Sequence, residues 1–269
     1  MVNGQEDLWV EPQWPAPDGV RAVCTTRWGG VSQAPYDSMN LGLHVGDESS
    51  AVQVNRARMH ERLGARPVFL DQVHGTNTVQ IHQDTPDACR ADGAITRETD
   101  LACTVMVADC LPILVCDMQG RQVAALHAGW RGLAGVDGVG IVEQGLERFR
   151  HLALAKSGDS AIELIAWLGP CIGPRAFEVG DEVRAAFTDG DAQACGFYVA
   201  GAPGKWWADL PGLARQRLHR QGVDAVYGND GTIDWCTVNQ RSRFFSHRRD
   251  GVSGRMAACI WLASANRRP

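Results

Sequence analysis

The amino-acid sequence predicts an α+β fold with mixed β-sheets, because strand-like segments outnumber helical ones and the two kinds do not alternate strictly. Strand-like segments are apolar or β-branched runs bounded by turn residues, and they occupy residues 20–26, 66–73, 101–107, 113–117, 122–127, 162–168 and 256–261. Helical periodicity occupies residues 50–63, 138–150, 180–187 and 210–221. Ser49 or Ser50 is a candidate cap for the first helix, and Gly64 predicts its end.

Length and composition indicate an ordinary globular chain. It has 269 residues, of which 45% are hydrophobic and 21% charged, and its net charge is −5. We find no internal repeat and no linker long enough to separate two domains, so we expect one domain over residues 1–269. The weakly acidic net charge does not indicate the basic surface that binds nucleic acid or an anionic membrane.

Neither a membrane span nor a secretory signal is evident in the sequence. No apolar run reaches the roughly 18–20 residues that cross a bilayer. Residues 1–12 lack the basic and apolar regions of a signal peptide. We therefore expect a cytoplasmic protein that makes no membrane contact.

The chain contains nine cysteines, and none of them forms a C-x-x-C pair. An odd count without a secretory signal argues against a disulfide framework. The missing C-x-x-C excludes a zinc ribbon and a thioredoxin-type dithiol. Most of these cysteines are expected to be small buried apolar residues.

Three short segments each place a potential metal ligand at or near the end of a strand-like run. The ligands are His74 in LDQVHG, Cys110 in VADCLP and His127 in ALHAGWRG. Two imidazoles and one thiolate suit Zn²⁺, and three protein ligands with an open fourth position describe a catalytic site. The pattern is equally compatible with histidines that cap strands and a cysteine that packs in the core.

The same His₂Cys set is also the equatorial ligand set of a blue-copper centre, and Met106 lies near in sequence. A multicopper oxidase, however, needs many histidines, usually as His-x-His pairs. This chain has eight histidines, and none has another two positions away. Copper is therefore the less favoured metal.

A second set of residues could bind an anionic ligand. Arg27 lies in a glycine-rich turn, TTRWGG, while Asn40 and His44 share the segment SMNLGLHVG. Arg131 follows His127, and Arg248 lies far downstream in FFSHRRDG. Guanidinium groups suit phosphate and carboxylate, although each arginine could equally be a solvated charge or pair with a nearby aspartate. Walker, G-x-G-x-x-G and G-x-S-x-G motifs are absent from the sequence.

At these segments the chain resembles the YfiH family, also called the laccase-domain or polyphenol oxidase family. The resemblance covers nearly the whole length through motifs that include TTRWGGVSQAPYDSMNLGLHVGD, DQVHGTNTV, ADGAIT, ADCLPILVCD, AALHAGWRG and WLGPCIGPRAFEVGDEV, and it ends in FFSHRRDGVSGRMAACIWL. It implies a four-layer αββα sandwich similar to the catalytic domain of a cytotoxic necrotising factor. It also implies that Cys110 and His127 match the family's Cys–His pair and that His74 is the third zinc ligand.

The resemblance further implies chemistry on purine nucleosides. Family members are described as adenosine and inosine phosphorylases with adenosine deaminase and methylthioadenosine phosphorylase activities, and some as peptidoglycan-editing factors. Our first hypothesis is therefore a zinc-dependent phosphorylase and deaminase that binds a nucleoside and phosphate as a monomer or homodimer. In it Asp109 shuttles protons, Arg27, His44 and Arg248 hold phosphate, and Asn40 and Arg131 add substrate contacts.

Two other hypotheses remain open at this point. In one, a metal-free cysteine hydrolase acts on an amide of a cell-wall precursor, with Cys110 as nucleophile and His127 as base. In the other, the metal only stabilises a scaffold that acts through partners.

Overall fold

The computed structural model describes residues 8–157 and 162–264 of the chain. The segment 1–12 judged above for a signal peptide thus lies mostly outside the described residues. The strands are β1 Trp9–Val10, β2 Val20–Thr25, β3 Arg66–Phe69, β4 Thr78–Gln80, β5 Gly93–Thr96, β6 Leu101–Val107, β7 Leu111–Asp117, β8 Val123–Ala128, β9 Leu164–Leu168, β10 Glu178–Gly180, β11 Tyr198–Ala200, β12 Lys205–Ala208, β13 Ala225–Gly228 and β14 Met256–Leu262. The α-helices are α1 Ser49–Leu63, α2 Trp130–Ala134, α3 Ile141–Ser157, α4 Asp181–Thr188, α5 Leu210–Arg220 and α6 His247–Asp250.

Two large mixed sheets form the centre of the molecule. One has the strand order β1-β2-β14-β6-β3, and the other has the order β13-β9-β7-β8-β5-β4. Their inner neighbours are antiparallel, while β3 pairs with β6, β4 with β5 and β13 with β9 in parallel. A small antiparallel sheet, β10-β12-β11, shares no strand with either large sheet.

The two large sheets pack face to face, and helices cover both outer faces. Side chains such as Cys103, Leu114 and Trp167 fill the space between the sheets. Helix α1 covers the five-stranded sheet through Met59 and Leu63. Helices α2 to α5 cover the six-stranded sheet. This arrangement confirms the expected α+β class and the four-layer αββα sandwich.

The longest central strands were predictable because each is covered on both faces. Every residue of β6 and β7 is buried, so these strands form nearly continuous apolar runs rather than alternating ones. Helix α1 ends at Gly64, whose φ of 63° is the left-handed conformation that favours glycine at a helix end.

Other boundaries differ from the sequence-based expectation. The residue that caps α1 is Glu48, without a side-chain hydrogen bond, so neither Ser49 nor Ser50 is the cap. Strands β1, β4, β5 and β10 to β13 were not predicted, because segments of two to four residues carry too few positions for a periodic signal. In the described part of the chain, no helix combines the length and the apolar character needed to cross a membrane.

The space between the sheets should contribute strongly to stability. Leu114 is fully buried there, so Leu114→Ala should lower the free energy of unfolding by about 3 kcal/mol through lost burial and a new cavity. Denaturant unfolding of the purified proteins measures this difference. Val199→Ala, at a side chain that is 67% exposed, is the control and should change it by less than about 0.5 kcal/mol. Equal effects of the two substitutions would contradict the assigned core.

Candidate active site

The three candidate metal ligands meet where the chain crosses from one large sheet to the other. His74 lies in the loop after β3, Cys110 directly precedes β7, and His127 lies near the end of β8. One ligand atom from each residue lies within 4.8 Å of the others, and Sγ of Cys110 is 3.6 Å from Nε2 of His74. Within residues 8–157 and 162–264, this is the one group of three or more such side chains that could hold a metal ion.

A buried carboxylate, Asp92, holds two of these ligands in place. Its Oδ1 lies 2.8 Å from Nδ1 of His127 and accepts the backbone N–H of His74 at 2.9 Å. Its Oδ2 accepts the N–H groups of Val73 and Gly75 at 3.2 and 2.7 Å. Because Asp92 occupies Nδ1 of His127, Nε2 is left to face Cys110. A carboxylate behind a ligating histidine in this way fixes the orientation of the ring and increases its basicity.

The backbone around the ligands is close-packed and locally strained. A Cβ atom on Gly129 would lie 2.7 Å from Cδ2 of His74 and 3.1 Å from Sγ of Cys110, so only glycine fits there. His74 and Asp109 have φ values of 60° and 91°, a left-handed region that non-glycine residues seldom occupy. Such strain persists only where the surroundings hold it, and it concentrates at functional sites.

The surroundings of Cys110 lower the pKa of its thiol. Burial alone would raise its pKa, but attraction and hydrogen bonding from His127 and His74 lower that pKa to about 6. Burial opposes the charged form of His127 as well, yet Cys110 and Asp92 raise its pKa to about 9. By contrast, burial raises the pKa of Cys116 to about 12. Cys110 is therefore poised as a thiolate, the form that acts as a metal ligand or nucleophile.

The donor set fits a zinc ion. Tetrahedral zinc with bonds of about 2.0–2.3 Å places neighbouring ligand atoms roughly 3.3–3.8 Å apart; Cys110 and His74 are 3.6 Å apart, and all three ligand atoms lie within 4.8 Å of one another. Two imidazoles and one thiolate would hold such an ion with three protein ligands, the number typical of catalytic zinc sites.

That space is a cavity of about 490 Å³ lined by both charged and aromatic side chains. Its polar lining outside the three ligands includes His44, Gln72, Arg131, His247, Arg248 and Arg255. Its apolar lining includes Met106, Trp130, Ile172, Phe177 and Leu210. A volume of this order suits a small organic ligand.

Four of the residues singled out from the sequence line this cavity: Asp109, His44, Arg131 and Arg248. Asp109 is buried, and its two carboxylate oxygens accept hydrogen bonds from Oγ1 of Thr237 and the backbone N–H of Arg248, each at 2.6 Å. These bonds anchor the turn before Cys110. Its assignment as a proton shuttle stays a prediction.

Arg27 does not line the cavity. It forms an ion pair with Asp37 at 3.1 Å and donates to backbone oxygens of Asp37 and Arg241. These contacts leave it in a separate surface depression beside Trp28. Its assignment to phosphate binding stays a prediction, and we do not include it in the site.

Asn40 is fully buried and also stands outside the cavity lining. Its Oδ1 accepts the backbone N–H groups of Gly42 and Arg255, each at 2.9 Å. Its Nδ2 donates to the Asp47 carboxylate at 2.9 Å. Asn40 thus organises the loop that carries His44, and a direct substrate contact at Asn40 stays a prediction without support from this geometry.

Sequence reasoning missed several residues of the site, of which Asp92 and Arg255 have the largest part in its geometry. The motif ADGAIT contains Asp92, and an acidic residue directly before a buried strand was the available signal. Arg255 directly precedes the last strand and lies seven residues after Arg248 in the motif FFSHRRDGVSGRMAACIWL, which was the available signal.

Comparison with known proteins places the chain in a family. The family model described as multi-copper polyphenol oxidoreductase laccase matches residues 21–263. The chain therefore belongs to the YfiH family. A Pseudomonas aeruginosa relative named purine nucleoside phosphorylase is 50% identical, with 95% of this chain and 99% of the relative covered. An Escherichia coli relative named purine nucleoside phosphorylase YfiH is 45% identical, with 94% and 98% covered.

Solved structures of the family share the fold. A Neisseria meningitidis protein is 43% identical, with a TM-score of 0.84 and coverage of 96% of this chain and all of that one. YlmD from Geobacillus stearothermophilus is 30% identical, with a TM-score of 0.79 and coverage of 95% and 96%. The sandwich described above is thus common to these proteins.

The role of Asp92 can be measured through metal affinity. Asp92→Asn should lower zinc affinity roughly 10- to 100-fold, because the amide orients His127 and the His74 loop less well than a carboxylate does. Competition with a chromogenic chelator measures this affinity.

Asp117→Asn is the matched control for that substitution. Asp117 is a buried carboxylate that binds the backbone N–H groups of Arg121 and Gln122 away from the site. The Asp117→Asn protein should be less stable than wild type but should bind zinc with the same affinity. Equal zinc affinities in wild type and Asp92→Asn would show that Asp92 has only a structural role.

Proposed function

We propose that this chain is a purine nucleoside phosphorylase whose reaction takes place in the cavity beside His74, Cys110 and His127. The observation that carries the proposal is one cavity that joins a metal-binding group to arginine, histidine and aromatic side chains. The names of the 45–50% identical relatives support the same activity. Adenosine, inosine and methylthioadenosine are the proposed nucleosides, and adenosine deamination is a proposed second activity.

We also propose zinc as the resident metal, held by His74, Cys110 and His127. When bound there, zinc supplies Lewis-acid polarisation of a substrate oxygen or of a water molecule. Copper fits less well, because the described residues offer one group of three metal ligands, whereas a multinuclear centre needs several. The sulfur of Met106 lies 3.9 Å from Nη2 of Arg56, so it already has a polar neighbour.

The aromatic wall of the cavity suits a purine base. Trp130 and Phe177 offer flat apolar surfaces, and the guanidinium groups of Arg131 and Arg248 lie over those rings at 4.4 and 5.5 Å from the centroids. Nη1 of Arg248 donates to the carbonyl of Glu178 at 2.9 Å, which fixes its position. A base that stacks at this wall would be held in place by both aromatic and cationic contacts.

Phosphorolysis in this cavity replaces one bond by another at the sugar. A phosphate oxygen forms a bond to C1′ while the bond from C1′ to the purine nitrogen breaks. The electron pair goes to the purine, which takes up a proton and leaves as the free base, and the sugar leaves as its 1-phosphate. Cationic side chains that hold phosphate next to C1′ stabilise the charges that develop.

One chain supplies all three ligands and the cavity lining. The proposed reaction therefore needs no residue from a second chain, which is compatible with the monomer or homodimer expected from the sequence. Its proposed partners are small molecules, a nucleoside and phosphate, and its proposed location is the cytoplasm.

Phosphate dependence tests the proposed activity. Zinc-loaded protein should release hypoxanthine from inosine only when inorganic phosphate is present, with the sugar 1-phosphate as the second product. Cys110→Ala should lower kcat/KM roughly 100-fold or more, because it removes a metal ligand. Chromatography of the products and metal analysis of each protein are the measurements.

Cys195→Ala is the control for that experiment, because Cys195 is exposed and belongs to no part of the site. It should retain wild-type activity. Base release that does not depend on phosphate, or full activity and zinc content in Cys110→Ala, would refute the proposal.

A second candidate function is a metal-free cysteine hydrolase that edits a peptidoglycan precursor. The observation in its favour is the sequence of contacts from Cys110 to His127 to Asp92, which has the order of a nucleophile, a base and an orienting carboxylate.

Cysteine alkylation separates the two candidates. With zinc bound, Cys110 should resist iodoacetamide at pH 7, and a chelator should expose it to rapid labelling because its pKa is about 6. Peptide mass spectrometry measures the labelling, with exposed Cys195 as the internal reference. Rapid labelling of Cys110 in protein saturated with zinc would favour the hydrolase instead.

A further inference from the structure

Arg255 is a cation that faces the cavity without an ion-pair partner. It lines the cavity directly before β14 and is half-buried. Among the described residues, its side-chain hydrogen bonds all start at Nη1, which donates to the carbonyls of Ser253 and Gly254 at 3.0 and 3.1 Å and approaches Oγ of Ser253 at 3.5 Å. In the described part of the chain, no carboxylate forms an ion pair with it.

The negative groups near Arg255 are already committed to other partners. The oxygens of Asp109 accept hydrogen bonds from Thr237 and from the backbone of Arg248. The thiolate of Cys110 belongs to the candidate metal group. Burial disfavours the charged guanidinium and lowers the pKa of Arg255. A bound anion would offset this cost.

The loop beneath Arg255 holds its side chain against His44. Asn40 accepts the backbone N–H groups of both Gly42 and Arg255, which joins the two segments. A Cβ on Gly42 would lie 2.8 Å from Cγ of Arg255 and 3.4 Å from Cε1 of His44. Glycine therefore leaves room for both side chains at the same wall of the cavity.

The other arginines of the cavity have different surroundings. Arg131 and Arg248 lie over Trp130 and Phe177, so their cations belong to the aromatic wall. Arg255 and His44 belong to the segments that adjoin the five-stranded sheet, with no aromatic stacking partner among the described residues. The cavity thus has an aromatic wall with two stacked arginines and, on the segments that adjoin the five-stranded sheet, a corner that contains Arg255 and His44.

We propose that Arg255 and His44 form the phosphate subsite of this cavity. The inference rests on the proposed phosphorylase activity and specifies where its second substrate binds. Nε and Nη2 of Arg255 are available for two parallel hydrogen bonds to phosphate oxygens, the geometry in which guanidinium binds phosphate best. The base then occupies the aromatic wall, and the sugar lies between the two.

Steady-state kinetics with both substrates varied tests the subsite. Arg255→Gln should raise KM for phosphate roughly 10- to 100-fold, the loss expected for charged hydrogen bonds. KM for inosine should change less than about twofold, because the aromatic wall is untouched. Arg255→Lys should restore part of the phosphate affinity through its charge, without the paired hydrogen bonds.

Arg58→Gln is the matched control, because Arg58 is an exposed arginine on α1 whose side chain donates to the carbonyl of Gly29 and does not line the cavity. Both of its KM values should equal those of wild type. Unchanged KM for phosphate in a folded Arg255→Gln protein, or a parallel rise in KM for inosine, would overturn the subsite.

A binding measurement separates this inference from the proposed activity. Inorganic phosphate should raise the Tm of chelated wild-type protein, with no metal present to bind the anion, and should leave that of Arg255→Gln unchanged. Gly42→Ala, which displaces the Arg255 side chain without removing it, should weaken the effect. Equal phosphate responses in wild type and Arg255→Gln would overturn the subsite even if the enzyme is a phosphorylase. An Arg255-dependent response without phosphate-dependent base release would overturn only the proposed activity.

Discussion

The geometry of the site depends on one buried carboxylate. Asp92 forms a hydrogen bond with Nδ1 of His127 and accepts hydrogen bonds from three consecutive backbone N–H groups, those of His74 and its two neighbours. It thereby ties a surface loop to the edge of a central strand, and both ligands take their positions from it. The histidine in that loop has a left-handed backbone, which would relax without these bonds. A fully buried carboxylate is costly unless it is paired and hydrogen-bonded, and here all of those contacts serve the site.

The layered architecture explains why the cysteine lies where it does. Strands β6 and β7 are consecutive in sequence but belong to different sheets, so the turn that contains Asp109 and Cys110 crosses the end of the sandwich. Asp109 anchors this turn to Thr237 and to the start of α6. The cavity beside the turn is therefore lined by segments that adjoin both large sheets.

The sequence predicted features that a local pattern encodes, such as buried strands. It did not predict contacts between side chains that are distant in sequence. Buried strands such as β6 were recognisable from apolar runs, and the three candidate metal ligands were recognisable from their residue types at strand ends. The short strands carried no such periodicity. Among the arginines, residue type alone could not separate Arg27, which pairs with Asp37 ten residues away, from Arg255, which has no carboxylate partner among the described residues. Arg255 takes its place through contacts between segments more than 200 residues apart, such as the hydrogen bond that its backbone N–H donates to Asn40.

The ligands come from three separate segments that only the packed sheets bring together. In small zinc domains the ligands are neighbours in sequence, and the metal directs folding. At the proposed site the two ligands nearest in sequence, Cys110 and His127, are 17 residues apart. Metal loading is therefore expected to follow folding, so that a finished cavity would select the metal. The occupant of the site in a living cell then depends on which ions are available after synthesis is complete, as well as on the donor atoms themselves.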